Sequence, residues 1–168
     1  RINDTSDEHP LFQYAVKNKN SIFHEYYIWA ENQGKRPNNW GSFFGGSVWE
    51  PDPNGGSEYY CHIFDKKMPD LNWKNPEVRK SMADIAKFWI DKGVDGFRLD
   101  AFIHIAKANL GQNILNQTED YPVDSSFYAN LPEVKLYLEN FIKLVKTYKD
   151  DVFFLGEASS ADANQAAE

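Results

Sequence analysis

One cysteine in 168 residues, Cys61, leaves no partner for an internal disulfide. Packing alone must hold this stretch together, and nothing in it requires an oxidising compartment. No apolar run approaches the roughly 20 residues that a membrane-spanning helix needs. Basic clusters are missing as well. The 18 Lys and Arg are scattered against 25 Asp and Glu, for a net charge of −7, which offers no footprint for phosphate backbones or anionic lipid. Neither nucleic acid nor a membrane is an expected partner. No His-x-x-x-His or similar ligand spacing occurs among His9, His24, His62 and His104, so neither a metal nor a cofactor is expected. Asp52-Pro53-Asn54-Gly55-Gly56, which faintly hints at a calcium loop, reads as an ordinary turn. No secretory leader is evident, and residues 1–4 read as a cut inside a longer chain.

What is present is a hydrophobic content of 42% and an aromatic content of 15%, enough for a packed domain rather than a disordered chain. Many aromatics stand beside polar and Gly-rich stretches, as in Asn38-Asn39-Trp40-Gly41-Ser42-Phe43-Phe44-Gly45-Gly46. Rings in such places suit flat polyhydroxylated ligands. Trp40, Phe43, Phe44 and Trp49 fit either the wall of a ligand cleft or the core of a small subdomain.

Up to about Asn72 the sequence has no long helical period and predicts a loop-rich unit with short strands. The pattern changes at Asn75, a good N-cap followed by Pro76 at the first helical position and Gly93 at the stop. Val78, Met82, Ile85, Ala86 and Trp89 recur between them at helical spacing and predict one buried stripe. A strand from Val94 to Asp100 follows. The order repeats: a helix opening at Pro132, with the stripe Val134, Leu138, Phe141, Ile142, Val145 and Tyr148, then a strand from Val152 to Gly156. Pro76 to Asp100 spans 24 positions and Pro132 to Glu157 spans 25, so two units of nearly equal length each end in a carboxylate. Helix-strand alternation with short apolar strands predicts an α/β fold with a parallel sheet, whose functional residues gather at the carboxyl ends of strands.

Alternation along the strand places Gly96, Arg98 and Asp100 on one face, with Phe97 and Leu99 on the other. Arg98 is thereby placed to hold Asp100, since a guanidinium keeps a carboxylate ionised and available as a nucleophile. Glu157 follows the apolar run Phe153-Phe154-Leu155, a setting that favours the protonated form a general acid needs. Two such carboxyls about 5 Å apart suit double displacement at a glycosidic bond. The plainer alternative is a structural Arg-x-Asp ion pair and a solvated Glu.

Gly96-Phe97-Arg98-Leu99-Asp100-Ala101 and Gly156-Glu157-Ala158 resemble two signature segments of the α-amylase superfamily, glycoside hydrolase family 13. Residues 37–47, Thr5-Ser6-Asp7-Glu8-His9-Pro10 and Met68-Pro69-Asp70-Leu71-Asn72-Trp73 resemble its α-glucosidase and oligo-1,6-glucosidase branch. The resemblance implies a partial (β/α)8 barrel with a loop-rich subdomain inserted after the third strand. Residues 1–5 would then end that strand, 6–72 form the insertion, and 73–168 run from the third helix to the loop after the fifth strand. It also implies hydrolysis of α-glucosidic bonds in maltose and short oligosaccharides, with Asp100 as nucleophile, Glu157 as acid/base and Arg98 as the residue orienting Asp100. Ala101 would lie beside the leaving sugar. Phe44 is a candidate sugar-stacking ring, and His104 either touches the sugar beyond the cleaved bond or caps local backbone. Asn3-Asp4 stands where the family usually has Asn-His. A cytoplasmic bacterial setting is expected, with a small oligosaccharide as substrate and the oligomeric state left open. Competing expectations are an α-glucosyl transferase of the same family and a non-catalytic transporter subunit.

Overall fold

In the chain's structure, a computed structural model, residues 1–158 are described; residues 159–168, the end of the expected barrel segment, lie outside the described residues. No helix among them is long and apolar enough to cross a membrane.

The first part holds a helix the sequence reading missed, α1 (Pro10–Lys17). The His9 side chain caps it, Nδ1 accepting from Leu11 N–H at 3.1 Å, and Pro10 pre-sets its first turn. Phe12, Ala15 and Val16 form its buried face, a stripe too short to stand out as a period. The predicted short strands follow: β1 (Trp29–Ala30), β2 (Trp49–Pro51) and β3 (Tyr59–Cys61), paired antiparallel in the order β1-β3-β2. Behind them lies a core of Ile28, Trp40, Val48, Trp49, Cys61, Ile63, Ile114 and Tyr128. Trp40 and Trp49 are therefore core residues. Burial, with Asp70 nearby, pushes the Cys61 thiol well up, which keeps it an inert packing group.

The second part follows its caps. Helix α2 (Pro76–Asp91) starts where Asn75 accepts from Glu77 N–H at 3.0 Å, and Gly93 beyond its end takes φ +94°, a left-handed turn that suits glycine. Strand β4 (Gly96–Leu99) comes next, then α3 (Pro132–Lys146) and β5 (Phe153–Gly156). β4 and β5 pair in parallel, Gly96 opposite Phe153 and Leu99 opposite Gly156. Gly96 is required there, because a Cβ would fall 2.7 Å from the Phe153 carbonyl oxygen.

One face of this sheet packs on the helices. Phe97 lies against Phe154, Phe141 turns its edge to Phe154 and Trp73, and Leu99, Val78, Ala86, Val134 and Val145 fill the gaps. Each large side chain buried there contributes about 1.5–3 kcal/mol. The predicted α2 stripe is corrected in part: Val78, Ala83 and Ala86 are buried, but Ile85 and Trp89 are about half exposed. The apolar surface of α2 is wider than the α3 contact, so its far edge stays uncovered. The opposite face of the sheet carries Gly96, Arg98, Phe153 and Leu155, and there Phe153 is 65% and Leu155 53% exposed.

Candidate active site

The parallel register sets both candidate carboxylates just past paired strand ends. Glu157 N–H donates to the Leu99 carbonyl at 3.1 Å, and the Asp100 carbonyl accepts from Ile2 N–H at 3.2 Å. Ile2 thus lies against the carboxyl end of β4, while Asp4 bridges to Asp70. The resulting cleft of about 200 Å³ is lined by Arg1, Phe64, Asp100, Ala101, His104 and Glu157. Its two carboxyl side chains are 39% and 45% exposed, open enough for a ligand to reach.

Two expectations are corrected. Arg98 pairs with Glu157 rather than with Asp100. Its extended side chain crosses the roughly 4.8 Å gap between strands and meets the carboxylate on the neighbouring strand. Glu157 accordingly sits beside a guanidinium in an open cleft, not in apolar surroundings. The guanidinium near Asp100 is that of Arg1, with Nε 3.8 Å from Asp100 Oδ2.

Ala101 is buried and adopts φ +58°, a left-handed conformation uncommon outside glycine. The bend ends β4 and throws the backbone into the short helical turn Phe102–His104. His104 is buried, and its Nδ1–H donates to the Tyr128 carbonyl at 2.9 Å, so the backbone-capping role is present. Its ring nevertheless lines the cleft. Burial holds its pKa below the usual 6.5, against the opposing pull of the Tyr128 carbonyl. The ring therefore stays neutral at pH 7, and Nε2 carries a lone pair. Phe44 is 62% exposed and reaches the cleft only through Phe64, whose ring centroid lies 5.9 Å away. Sequence reasoning missed Phe64, which lines the cleft and packs against His104 and Phe43. The Phe64-Asp65 stretch carries no local pattern that would have marked it.

Lys107 was missed too. Its ammonium lies 2.9 Å from Asp70 Oδ2, off the hydrogen-bond direction and so an ion pair only. It donates to Asn3 Oδ1 at 3.2 Å and to the His104 carbonyl at 2.5 Å. A single cation thus ties together three of the segments that wall the cleft. Lys19 does the same for the turn at Asp52, whose carboxylate also accepts from Asn54 and Gly56 N–H at 2.8 and 3.1 Å. Burial works to raise the Asp52 pKa, but these donors outweigh it and hold the carboxyl below its usual range. Among the described residues no group of three or more His, Cys, Asp or Glu could hold a metal ion.

Residues 2–168 match the family description "Alpha amylase, catalytic domain". The chain belongs to that family. Within the alpha-amylase family it is 45% identical over 158 residues to an oligo-1,6-glucosidase of Parageobacillus thermoglucosidasius, covering 93% of this chain and 28% of that protein. A solved family GH13_31 enzyme superposes with TM-score 0.93 at 56% identity, over 99% of this chain and 31% of the other. The trehalulose synthase MutB, as its A258V mutant, matches with TM-score 0.84 at 32% identity, over 98% and 29%. The chain spans about three tenths of the length of the curated relatives it matches. With these neighbours, the two parallel strands and their helices are part of a (β/α)8 barrel, and the bare face carrying Phe153 and Leu155 is its interior.

Proposed function

We propose that this chain is the part of a retaining α-glucosidase that carries the nucleophile, Asp100, and the acid/base, Glu157. One observation carries the reading: the β4–β5 register delivers two carboxylates to one open cleft at the carboxyl ends of barrel strands. In this reading Asp100 attacks the anomeric carbon while Glu157 protonates the leaving oxygen. Water activated by Glu157 then releases glucose with its configuration retained. Arg98, bonded to Glu157, steadies the acid/base. Neutral His104 offers Nε2 to a sugar hydroxyl, and Phe64 and Phe44 supply ring faces. The substrate is a small α-glucoside, and residues 6–72 are the insertion between barrel strand and helix.

The complete protein is expected to release α-glucose first from an α-glucoside, as followed by proton NMR of the anomers. The 168-residue piece is expected to release none, because a closed barrel needs eight strands. Initial release of β-glucose would overturn retention. The similarity to a trehalulose synthase favours a second reading, transfer of the glucosyl group to a sugar instead of water, which uses the same intermediate. Sugar products in place of free glucose would select it.

Ala101 biases the linkage preference in this proposal. It lines the cleft directly after Asp100, and its methyl leaves room that a Val would fill. The complete enzyme is expected to prefer maltose to isomaltose, and Ala101→Val to narrow or reverse the ratio of their kcat/KM values. The shift should be worth about 1–3 kcal/mol, the usual range for one or two carbons of pocket shape. A wild type that prefers isomaltose sinks this assignment and leaves the catalytic one standing.

A further inference from the structure

The Arg1 guanidinium is held on four sides. Nη1 lies 3.5 Å from Asp4 Oδ2 and donates to Met68 Sδ at 3.1 Å. Its plane covers the Phe64 ring at 4.2 Å from the centroid, and Nε lies 3.8 Å from Asp100 Oδ2. The side chain is 28% exposed, against 55% for Arg98, and that of Asp4 is 6% exposed. Ile2 enters the core, and Arg1 beside it lines the cleft. A carboxylate this buried, beside a second buried carboxylate at Asp70, is costly to keep, and the fold of the cleft walls does not need it, because Lys107 already ties them.

We propose that Asp4 and Arg1 are a positioning pair for Asp100: Asp4 anchors the Arg1 guanidinium on the cleft wall so that its charge faces the Asp100 carboxylate. The inference rests on the proposed role of Asp100 as nucleophile. Arg1 takes the part that alternation had suggested for Arg98, and it acts through Asp100 rather than on substrate. The pair also ties the site to pH. Burial first, then Asp70, raise the Asp4 pKa to about 6, against Arg1 and Asn3, which lower it. The charged groups around it are Arg1 on its own segment, Asp70 from the stretch after β3, Lys107 paired with Asp70, and Asp100 across Arg1. Above pH 6 Asp4 is ionised and grips Arg1; below it the grip is lost.

The test is steady-state kinetics on maltose across pH with the complete enzyme and its Asp4→Asn, Arg1→Gln, double and Asp100→Asn variants. Asp4→Asn is expected to lower kcat at pH 7 by about 10- to 100-fold, the scale of a misplaced reacting group, with KM within about twofold. It should also abolish the step near pH 6. The double variant should be no slower than Arg1→Gln alone. Misfolding is separable from this loss. The Asp4 pKa is raised on folding, so its ionised form costs stability as pH rises through about 6, and Asp4→Asn should melt no lower than wild type at pH 8. An Asp4→Asn enzyme within about twofold of wild type, beside an inactive Asp100→Asn enzyme, overturns the inference and spares the proposed function. Should Asp4→Asn fail to fold, an unchanged kcat in Arg1→Gln overturns it equally. Activity surviving in Asp100→Asn overturns the proposed function, and this inference with it.

Discussion

Replacing Asp100 by Asn in the complete enzyme is expected to lower kcat by about 10⁴- to 10⁶-fold, the scale on which removal of a nucleophile usually acts. Glu157→Gln should behave differently, because the two residues do different work in the same cleft. Loss of a general acid costs about 10²–10⁴-fold when the leaving group needs a proton, and little when it does not. The Glu157→Gln enzyme should therefore turn over α-glucosyl fluoride far better than maltose. Equal losses on both substrates would contradict the acid role. Azide supplies a further check on Asp100: attacking the anomeric carbon directly in an Asp100 variant, it should give a β-configured product, because a single displacement inverts the centre. An α-configured azide would contradict Asp100 as nucleophile in a retaining α-enzyme. Either substitution leaves the fold intact by its geometry, since both side chains are open to solvent and neither fills the core. Glu157→Gln also keeps a hydrogen-bond acceptor for Arg98, so loss of that contact does not confuse the readout.

The helix-strand units were legible because local signals agree at every level there. Asn75 caps, Pro76 starts, apolar residues recur at helical spacing, and β4 alternates with Phe97 and Leu99 toward the helices. Asp100 and Glu157 were legible for the same reason, as the residues that follow two such strands. The partner of Arg98 was not. Alternation says which face a side chain shares, but a long guanidinium chooses its carboxylate by inter-strand register, and register becomes visible only when Leu99 is seen opposite Gly156. Helix α1 escaped because eight residues hold barely two turns of period. The Trp residues of the Gly-rich stretch could not be divided between core and cleft until Tyr128 and Ile114, from far along the chain, were found packed on Trp40 and Trp49.

Lys107 is the residue whose role was least accessible to sequence and whose loss should cost most in stability. Its partner Asn3 is 104 positions away, and Asp70 stands in the stretch after β3. The Lys107 and Asp70 side chains are only 5% and 0% exposed. Removing one member of so buried a pair leaves the other charged and without compensation, typically a loss of about 3–5 kcal/mol. Lys107→Met, which keeps the aliphatic stem and deletes the ammonium, is expected to destabilise the complete protein by that amount in denaturant unfolding. The damage should be specific. In the Asp70→Asn/Lys107→Met double variant no charge is stranded, so a substantial part of the loss should be regained, giving a coupling energy of about 1–3 kcal/mol in the double-mutant cycle. Activity should fall further than unfolding explains, because the ammonium joins the segment before α1, the stretch after β3 and the turn carrying His104. A Lys107→Met protein within about 1 kcal/mol of wild type, or a double variant as unstable as the single one, would show that the walls of the cleft are held by packing alone.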